Sequence, residues 1–242
     1  MNPRFSLTLR ALFITPWRIP LASILERMDE VLWGSFGVVM VTVGAVGAAM
    51  CDQAAAQALR LLGDQSFIGP EYIVLGFEEF GPLVVALTLA TRVGAGFAAE
   101  VASAQGDETL DALSLYGQSP ETSRLAPMGL ACTLGGASLG ILAAAVWEST
   151  GIVTMWLRYG INPHTFFHPD AIAIHSVVLC LVKNASMGAL VFISALYAGL
   201  RAKPGSEAVG HATTQAVVGG LIAVLAANFA IDVLWFVFRG PQ

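Results

Sequence analysis

Residues 72–102 read YIVLGFEEFGPLVVALTLATRVGAGFAAEVA, and this stretch decides which kind of fold the chain adopts. A helix that spans a membrane needs about 20 consecutive, mostly apolar residues, and this run is longer than that. Glu78, Glu79, Arg92 and Glu100 interrupt it. Ionisable residues inside such a segment are costly to bury and usually have a function. The stretch therefore predicts a membrane helix that carries functional polar groups.

The whole chain has the composition of an integral membrane protein. Of its 242 residues 56% are hydrophobic and 12% are charged, and the mean hydropathy is +0.71, whereas soluble domains contain about 25% charged residues. Continuous apolar runs exclude a β-barrel, whose strands are alternating segments of about ten residues. We therefore predict an all-α membrane protein with five transmembrane helices, at about 31–59, 72–102, 126–148, 171–200 and 209–238.

The first 30 residues have a different pattern, in which apolar side chains alternate with arginines. This is typical of an amphipathic segment that lies in the membrane interface. Pro16 and Pro20 are expected to divide it into two pieces. We predict an interfacial segment over 1–30 and a five-span domain over 31–242.

The positive charges predict the orientation of the chain. Cytoplasmic loops of membrane proteins are enriched in Lys and Arg. Seven such residues precede the first span or lie in the second and fourth loops, and three fall on the opposite side. This predicts a cytoplasmic N-terminus and an extracytoplasmic C-terminus, as five spans require. The seven are Arg4, Arg10, Arg18, Arg27, Arg124, Arg201 and Lys203, and the three are Arg60, Arg158 and Arg239.

Motifs that would indicate catalysis are missing from the sequence. It contains no HExxH zinc motif, no GxSxG nucleophile motif and no GxxxxGK[ST] phosphate loop. His164 and His168 are four residues apart, but Pro163 and Pro169 frame them and no cysteine completes a metal site. We expect no enzyme activity, no cofactor or metal, and no nucleic-acid partner.

Glu79 is the most interesting of the embedded charges. It precedes Gly81-Pro82, where we expect the helical backbone to be perturbed. Its carboxylate can bind an ion, relay a proton or line a headgroup cavity, or it can pair with Arg92 or Lys183. Arg92 and Glu100 are eight residues apart, too far to pair, and are expected to serve neighbouring helices or the inner interface.

A short amphipathic unit follows the second span. Residues 110–117 read LDALSLYG, in which Leu110, Leu113 and Tyr116 have the spacing of one helical face, and Gly117 is suited to end the helix. Such a helix docks by its apolar face into a groove of another protein.

These motifs together resemble those of the MlaE/YrbE permeases. The first block holds Glu79-x-Gly81-Pro82, Arg92-x-Gly94-Ala95, Ala99-Glu100, Glu108-x-x-Asp111-Ala112-Leu113, Gly117-x-x-Pro120 and Leu125-x-x-Pro127. The second holds Val182-Lys183-Asn184, Ser194-Ala195-Leu196-Tyr197-Ala198-Gly199 and Ala208-Val209-Gly210-x-Ala212-Thr213-Thr214. The resemblance covers nearly the whole chain after residue 30.

The resemblance implies a permease subunit of an MCE-associated ABC transporter in the bacterial inner membrane. Such permeases are dimers that bind two ATPase subunits, which hold ATP and Mg, and they move phospholipid or another lipid between the membrane and an MCE-protein conduit. A homodimer is favoured over a heterodimer. The cavity between the copies would be lined by the first, second and fifth spans.

Individual roles also follow from the resemblance. The coupling helix that inserts into the ATPase would lie near 108–118. Lipid contacts are expected at Glu79, Phe80, Leu59 and Leu62. ATPase coupling is expected at Glu108, Leu110, Asp111, Leu113, Tyr116, Gly117 and Pro120. The embedded charges are Arg92, Glu100 and Lys183.

The sequence departs from the family pattern at several polar or charged positions. Met128 follows Pro127 where the family usually has Arg, Thr109 replaces a Gln, and Glu78 stands where an Arg often precedes the motif glutamate. These departures weaken the case that a charge at these positions is essential.

Three other functions remain possible on the residues alone. The first is a proton- or ion-coupled secondary transporter that uses Glu79, Arg92 and Lys183. The second is an intramembrane enzyme with His175 or His211 as base. The third is a scaffold that only anchors an MCE conduit. The first would transport without ATP and stop when the membrane gradient collapses. The second would be active as the purified chain alone, and the third would leave transport unchanged in cavity variants.

Overall fold

The computed structural model describes residues 3–13, 19–65 and 68–239, and it contains helices and no strand within those ranges. Three of the helical segments are π-helical turns, which we number in chain order. The α-helices are α1 Pro3–Phe13, α2 Leu21–Leu62, α3 Ile68–Leu75, α4 Gly81–Leu89, α5 Ala95–Gly106, α6 Thr109–Leu115, α7 Ala126–Tyr159, α8 Pro163–Phe166, α9 Ile174–Gly199 and α10 Ser206–Arg239. The π turns are Gly76–Phe80, Ala90–Gly94 and Glu121–Leu125, and Pro169–Ala171 form a 3₁₀ turn.

The predicted all-α fold with five spans is confirmed. Among the residues that the structure describes, five helical stretches are long and apolar enough to cross a membrane, at Leu21–Leu61, Ile68–Gly106, Glu121–Tyr159, Ile174–Gly199 and Ser206–Phe238. A further helix, α1, precedes them. Pro16, which we expected to break the N-terminal segment, lies outside the described residues.

The first and third spans exceed their predicted lengths most. Helix α2 begins at Leu21 rather than near residue 31, because residues 21–33 contain no glycine or proline, and the Arg27 guanidinium lies 2.9 Å from Glu30. Such pairs three residues apart support a helix. Helix α7 continues to Tyr159, so residues 149–159 extend the span that we predicted to end at residue 148.

The backbone perturbation predicted near Gly81-Pro82 is confirmed. The Gly81 N–H donates to the Gly76 carbonyl five residues back, which closes the first π turn. A proline cannot donate to the helical ladder and clashes with the carbonyl four residues earlier. The wider turn removes that conflict, and π turns of this kind are frequent at functional sites.

The chain divides into two compact units. The first contains residues 1–35, 86–136 and 185–242, and the second contains residues 36–85 and 137–184. In the first unit, α7 and α9 approach closely at glycines: a Cβ added to Gly188 would lie 2.3 Å from the Cys132 carbonyl oxygen, and one on Gly129 would meet the Phe192 ring at 2.7 Å. Small residues allow such close approach of membrane helices.

Helix α1 belongs to the first unit and packs against the third π turn. Arg4 of α1 forms an ion pair with Asp111 of α6. The N-terminal helix is thereby tied to the segment predicted to bind the ATPase. That residues 1–30 lie in the membrane interface stays a prediction.

Candidate functional site

Each π turn places charged side chains within a span. The first carries Glu78 and Glu79, the second carries Arg92, and the third carries Glu121 and Arg124. A π turn inserts one residue into the helix and therefore rotates the side chains that follow it. The turns thus hold part of the embedded charges, whereas Glu100 lies on α5 and Lys183 on α9.

The carboxylates of the first π turn are bound by α9 in the second unit. Ser176 donates a 2.6 Å hydrogen bond to Glu78 Oε1, and His175 Nε2 lies 3.7 Å from the same atom. Lys183 Nζ donates to the Glu78 carbonyl oxygen and lies 3.4 Å from Glu79 Oε1. Of the two partners considered for Glu79, the structure therefore shows Lys183.

The two members of the Glu79–Lys183 pair differ in burial. The Lys183 side chain is 0% exposed, whereas the Glu79 side chain is 40% exposed. A fully buried ammonium depends on its protein partners, while a half-exposed carboxylate keeps contact with its surroundings. Glu79 is thus both a structural partner and a group that a ligand can reach.

An aromatic stack lies beside this cluster. The Trp147 ring stacks on Phe80 with centroids 5.7 Å apart and on Tyr72 with centroids 5.1 Å apart. Trp147 Nε1 donates to the Tyr72 carbonyl at 3.2 Å, and the Tyr72 hydroxyl donates to the Trp147 carbonyl at 3.0 Å. A Cβ on Gly76 would overlap the indole at 2.3 Å. The stack fixes α3 and the first π turn against α7.

An apolar groove opens on one side of the stack. Its volume is about 350 Å³, and its lining is formed by Met50, Ala54, Ala58, Ile68, Glu71, Tyr72, Leu75 and Trp147. Ligand sites of roughly 300–1,000 Å³ with apolar walls and few polar groups are typical of small-molecule binding. The groove is the best candidate for a lipid chain in the second unit.

The predicted lipid contacts occupy different places. Glu79 and Phe80 lie on the first π turn, next to the groove residue Trp147. Leu59 is 48% exposed on α2, one position after the groove residue Ala58. The side chain of Leu62 lies outside the described residues. The roles of these four residues stay predictions.

The predicted coupling segment forms a short helix, α6. Glu108 begins it with φ of 56°, a left-handed conformation that is uncommon for a residue other than glycine. Gly117 follows it with φ of 76°, as expected for a residue that ends a helix. Pro120 is buried where the third π turn starts.

The apolar face expected on α6 needs correction. Leu110 is fully buried within the chain and therefore cannot dock into a partner. The exposed apolar side chains are Leu115 and Tyr116, at 88% and 85%, while Leu113 is half-buried. Asp111 faces α1, through its ion pair with Arg4. The surface that α6 offers is therefore Leu115 with Tyr116.

Glu100 holds two parts of the first unit together. Its carboxylate lies 2.7 Å from Arg27 Nη2 of α2 and 3.1 Å from Arg124 Nη2 of the third π turn. These partners lie on neighbouring helices, as expected from the spacing of Arg92 and Glu100. The Arg92 guanidinium packs beside Gly34, 3.3 Å from where a Cβ there would lie.

Sequence reasoning missed Glu148, a carboxylate within the third span. It is 6% exposed, and neither carboxyl oxygen has a hydrogen-bond partner among the described residues. It lies near Cys51 of α2 and Tyr72 of α3. Its position inside the run 126–148 was visible, and a lone charge at such a place is a functional candidate by default. The ion pair between Arg124 and Glu100 was also missed, because the family pattern places its arginine directly after Pro127.

No metal site accompanies these groups in the part of the chain that the structure describes. That part contains no group of three or more His, Cys, Asp or Glu side chains placed to hold an ion. The arrangement consists of an apolar groove, a polar cluster at its side, and a separate helix with an exposed apolar tip.

Comparisons with known proteins agree with this arrangement. The model of the permease MlaE family matches residues 24–234. The chain is 31% identical to a probable ABC transporter permease of Synechocystis, over 95% of this chain and 87% of the relative. It is 27% identical to one of Rickettsia typhi, over 89% and 84%. It is 26% identical to the chloroplast protein TRIGALACTOSYLDIACYLGLYCEROL 1 of Arabidopsis thaliana, over 90% and 63%.

The match extends from the first span to the last: it begins three residues inside the first span, ends four residues before the end of the last, and contains the three spans between them. The segment near 108–118, predicted to bind the ATPase, also lies inside it. A permease of an ABC transporter works with ATPase partners and is a transport component rather than an enzyme. The chain is therefore a multi-pass membrane protein that belongs to the MlaE permease family, and it is a permease subunit of an ABC transporter.

Proposed function

We propose that this permease moves a phospholipid or related lipid between the bacterial inner membrane and an MCE-protein conduit. It acts as a homodimer with two ATPase subunits, which hold ATP and Mg. The N-terminus is cytoplasmic and the C-terminus is extracytoplasmic. The single observation that carries the proposal is the apolar groove of about 350 Å³ beside the Glu79 cluster. The Arabidopsis relative is named after a glycolipid, which also supports a lipid substrate.

The chain's own groups suggest how transport proceeds. Lipid tails are held in the groove by shape and dispersion, and polar groups near it contact the headgroup. ATP binding closes the ATPase subunits, which press on α6. The motion reaches α2 and α5 through Arg27, Glu100 and Arg124, because one carboxylate binds both arginines. Nucleotide thus biases an equilibrium between two states of the permease.

A gradient-driven transporter is not proposed, because the family consists of ABC permeases. The polar cluster that suggested it has a structural role in the second unit, where Lys183 is bound to the first π turn. An intramembrane enzyme is set aside on the same ground.

Filling the groove tests the lipid proposal. We expect Ala54→Trp to reduce the lipid that co-purifies with the complex by about tenfold, which corresponds to about 1.4 kcal/mol, because the indole occupies the space of the ligand. Bound lipid is extracted from purified complex and quantified by mass spectrometry. Ala56→Trp is the matched control, since Ala56 is half-buried on the same helix but does not line the groove. Equal lipid in both variants and wild type would contradict a binding groove and favour a scaffold.

The exposed tip of α6 is tested by co-purification. We expect Leu115→Ser/Tyr116→Ser to lose the ATPase subunit in mild detergent, because two exposed apolar side chains are the anchors available on this helix. The matched control is Trp156→Ser/Leu157→Ser, which removes another adjacent aromatic and leucine with 57% and 72% exposure. Retention of the ATPase by the first variant would contradict the assignment of α6 as coupling helix.

A further inference from the structure

The groove in the second unit is apolar except at one position. Of the eight described residues that line it, Glu71 is the only one with a charged side chain. Glu71 lies in the first turn of α3 and is exposed. The groove therefore offers apolar walls for a hydrocarbon chain and a single carboxylate for the group attached to that chain.

The carboxylate of Glu71 differs from its neighbours in having no ion pair among the described residues. Asp52 lies 2.9 Å from Arg158 Nε, Glu78 accepts from Ser176, and Glu79 is paired with Lys183. The chain thus satisfies these three carboxylates internally, whereas Glu71 is exposed at the groove without an ion pair among the described residues. Glu148 also lacks a hydrogen-bond partner there, but it is 6% exposed and does not line the groove.

The charge of the second unit favours a cationic partner. This unit contains seven carboxylates and three Lys or Arg residues, a formal net charge of −4 out of −5 for the whole chain. None of the three cations lines the groove. The carboxylates are Asp52, Asp64, Glu71, Glu78, Glu79, Glu148 and Asp170, and the cations are Arg60, Arg158 and Lys183. A headgroup with only negative charge meets repulsion here, whereas an ammonium group is attracted.

We propose that Glu71 selects a lipid whose headgroup bears a protonated amine. The acyl chain lies along Ala54, Ala58 and Leu75, and the ammonium group donates to the Glu71 carboxylate. A charge-assisted hydrogen bond of this kind is stronger than a neutral one. The inference rests on the proposed function, since it requires that the groove holds lipid. It adds the chemical class of the headgroup and the residue that reads it.

Competition between two lipids tests the selection. The complex is reconstituted in nanodiscs with equal amounts of phosphatidylethanolamine, which carries an amine, and phosphatidylglycerol, which does not. It is then extracted in mild detergent, and the lipids that remain bound are quantified by mass spectrometry. For wild type we expect an enrichment of phosphatidylethanolamine by about twofold to fivefold, the range for an exposed ion pair. The enrichment should decrease at high salt, because exposed charges are screened.

Variants of Glu71 assign the effect to that residue. Glu71→Gln should bring the ratio of the two lipids close to one, and Glu71→Lys should invert it. Asp170→Asn is the matched control: it removes one exposed carboxylate from the same unit at a position outside the groove, so the wild-type ratio should persist. A carboxylate in the first turn also stabilises its helix, so Tm is measured for each variant to separate folding from selection.

The outcomes separate this inference from the proposed function. If wild type retains no lipid, or if Ala54→Trp retains as much as wild type, the proposed function fails. If lipid is retained and the ratio is the same in wild type, Glu71→Gln and Glu71→Lys, the groove binds lipid but Glu71 does not select it, and the inference is overturned. A change of ratio in Asp170→Asn equal to that in Glu71→Gln would also overturn it, because net charge rather than Glu71 would then be responsible.

Discussion

Glu79→Gln is expected to destabilise this permease more than Lys183→Met does, although each removes one member of the same ion pair. Glu79→Gln leaves the Lys183 ammonium, which is 0% exposed, without its counter-charge. Breaking a buried pair in this way costs about 3–5 kcal/mol, and we expect about 3 because Lys183 also donates to the Glu78 carbonyl.

Lys183→Met has a smaller cost because the charge left behind is half-exposed. The Glu79 carboxylate can be solvated at its exposed side, and the methionine fills the space of the lysine stem. What is lost is the hydrogen bond to the Glu78 carbonyl, worth about 1 kcal/mol.

Thermal unfolding of the four members of a double-mutant cycle measures this difference. Wild type, both single variants and Glu79→Gln/Lys183→Met are compared by size-exclusion chromatography after heating in detergent. The double variant should be more stable than Glu79→Gln alone, because the buried ammonium has been removed. Equal destabilisation by the two single changes, or a larger effect of Lys183→Met, would contradict the buried position of Lys183.

Much of the fold could be predicted because it depends on properties that are local in the sequence. Five spans follow from five long apolar runs, and the first π turn follows from a proline that cannot donate within a helix. Gly117 was recognised as a helix end because the conformation required there favours glycine. The start of α2 and the end of α7 were predicted less accurately. Both helices continue through charged residues, Arg27 in α2 and Glu148 in α7, because a charged residue does not stop a helix.

The remaining features depend on which surfaces meet in the folded chain. Leu110 and Tyr116 fit one helical face by spacing, yet Leu110 is buried and Tyr116 is exposed, because the first unit covers only one of them. Glu71 stands one position before the span predicted to begin at residue 72, and only the packing of α2, α3 and α7 shows that it lines a groove. No pattern along the chain encodes such a juxtaposition.

The second large effect concerns the contact between α7 and α9 in the first unit. Gly188 has no side chain, so α9 lies directly against the backbone of α7 at Cys132. A methyl group at Gly188 would lie 2.3 Å from the Cys132 carbonyl oxygen, closer than side-chain carbons come to other atoms. Because the obstacle is backbone and not a flexible side chain, the helices themselves must separate.

We therefore expect Gly188→Ala to lower the free energy of unfolding by about 2–3 kcal/mol, within or near the range for overpacked cores. Gly96→Ala is the control, and we expect it to raise the free energy of unfolding. Nothing lies within 4 Å of a Cβ at this position, and alanine stabilises a helix interior by about 0.5–1 kcal/mol relative to glycine. Thermal unfolding of both variants in detergent gives the two shifts. If Gly188→Ala is neutral or stabilising, α7 and α9 are not in backbone contact at Gly188. If Gly188→Ala lowers the unfolding temperature and Gly96→Ala raises it, Gly188 is required for helix packing and Gly96 is not.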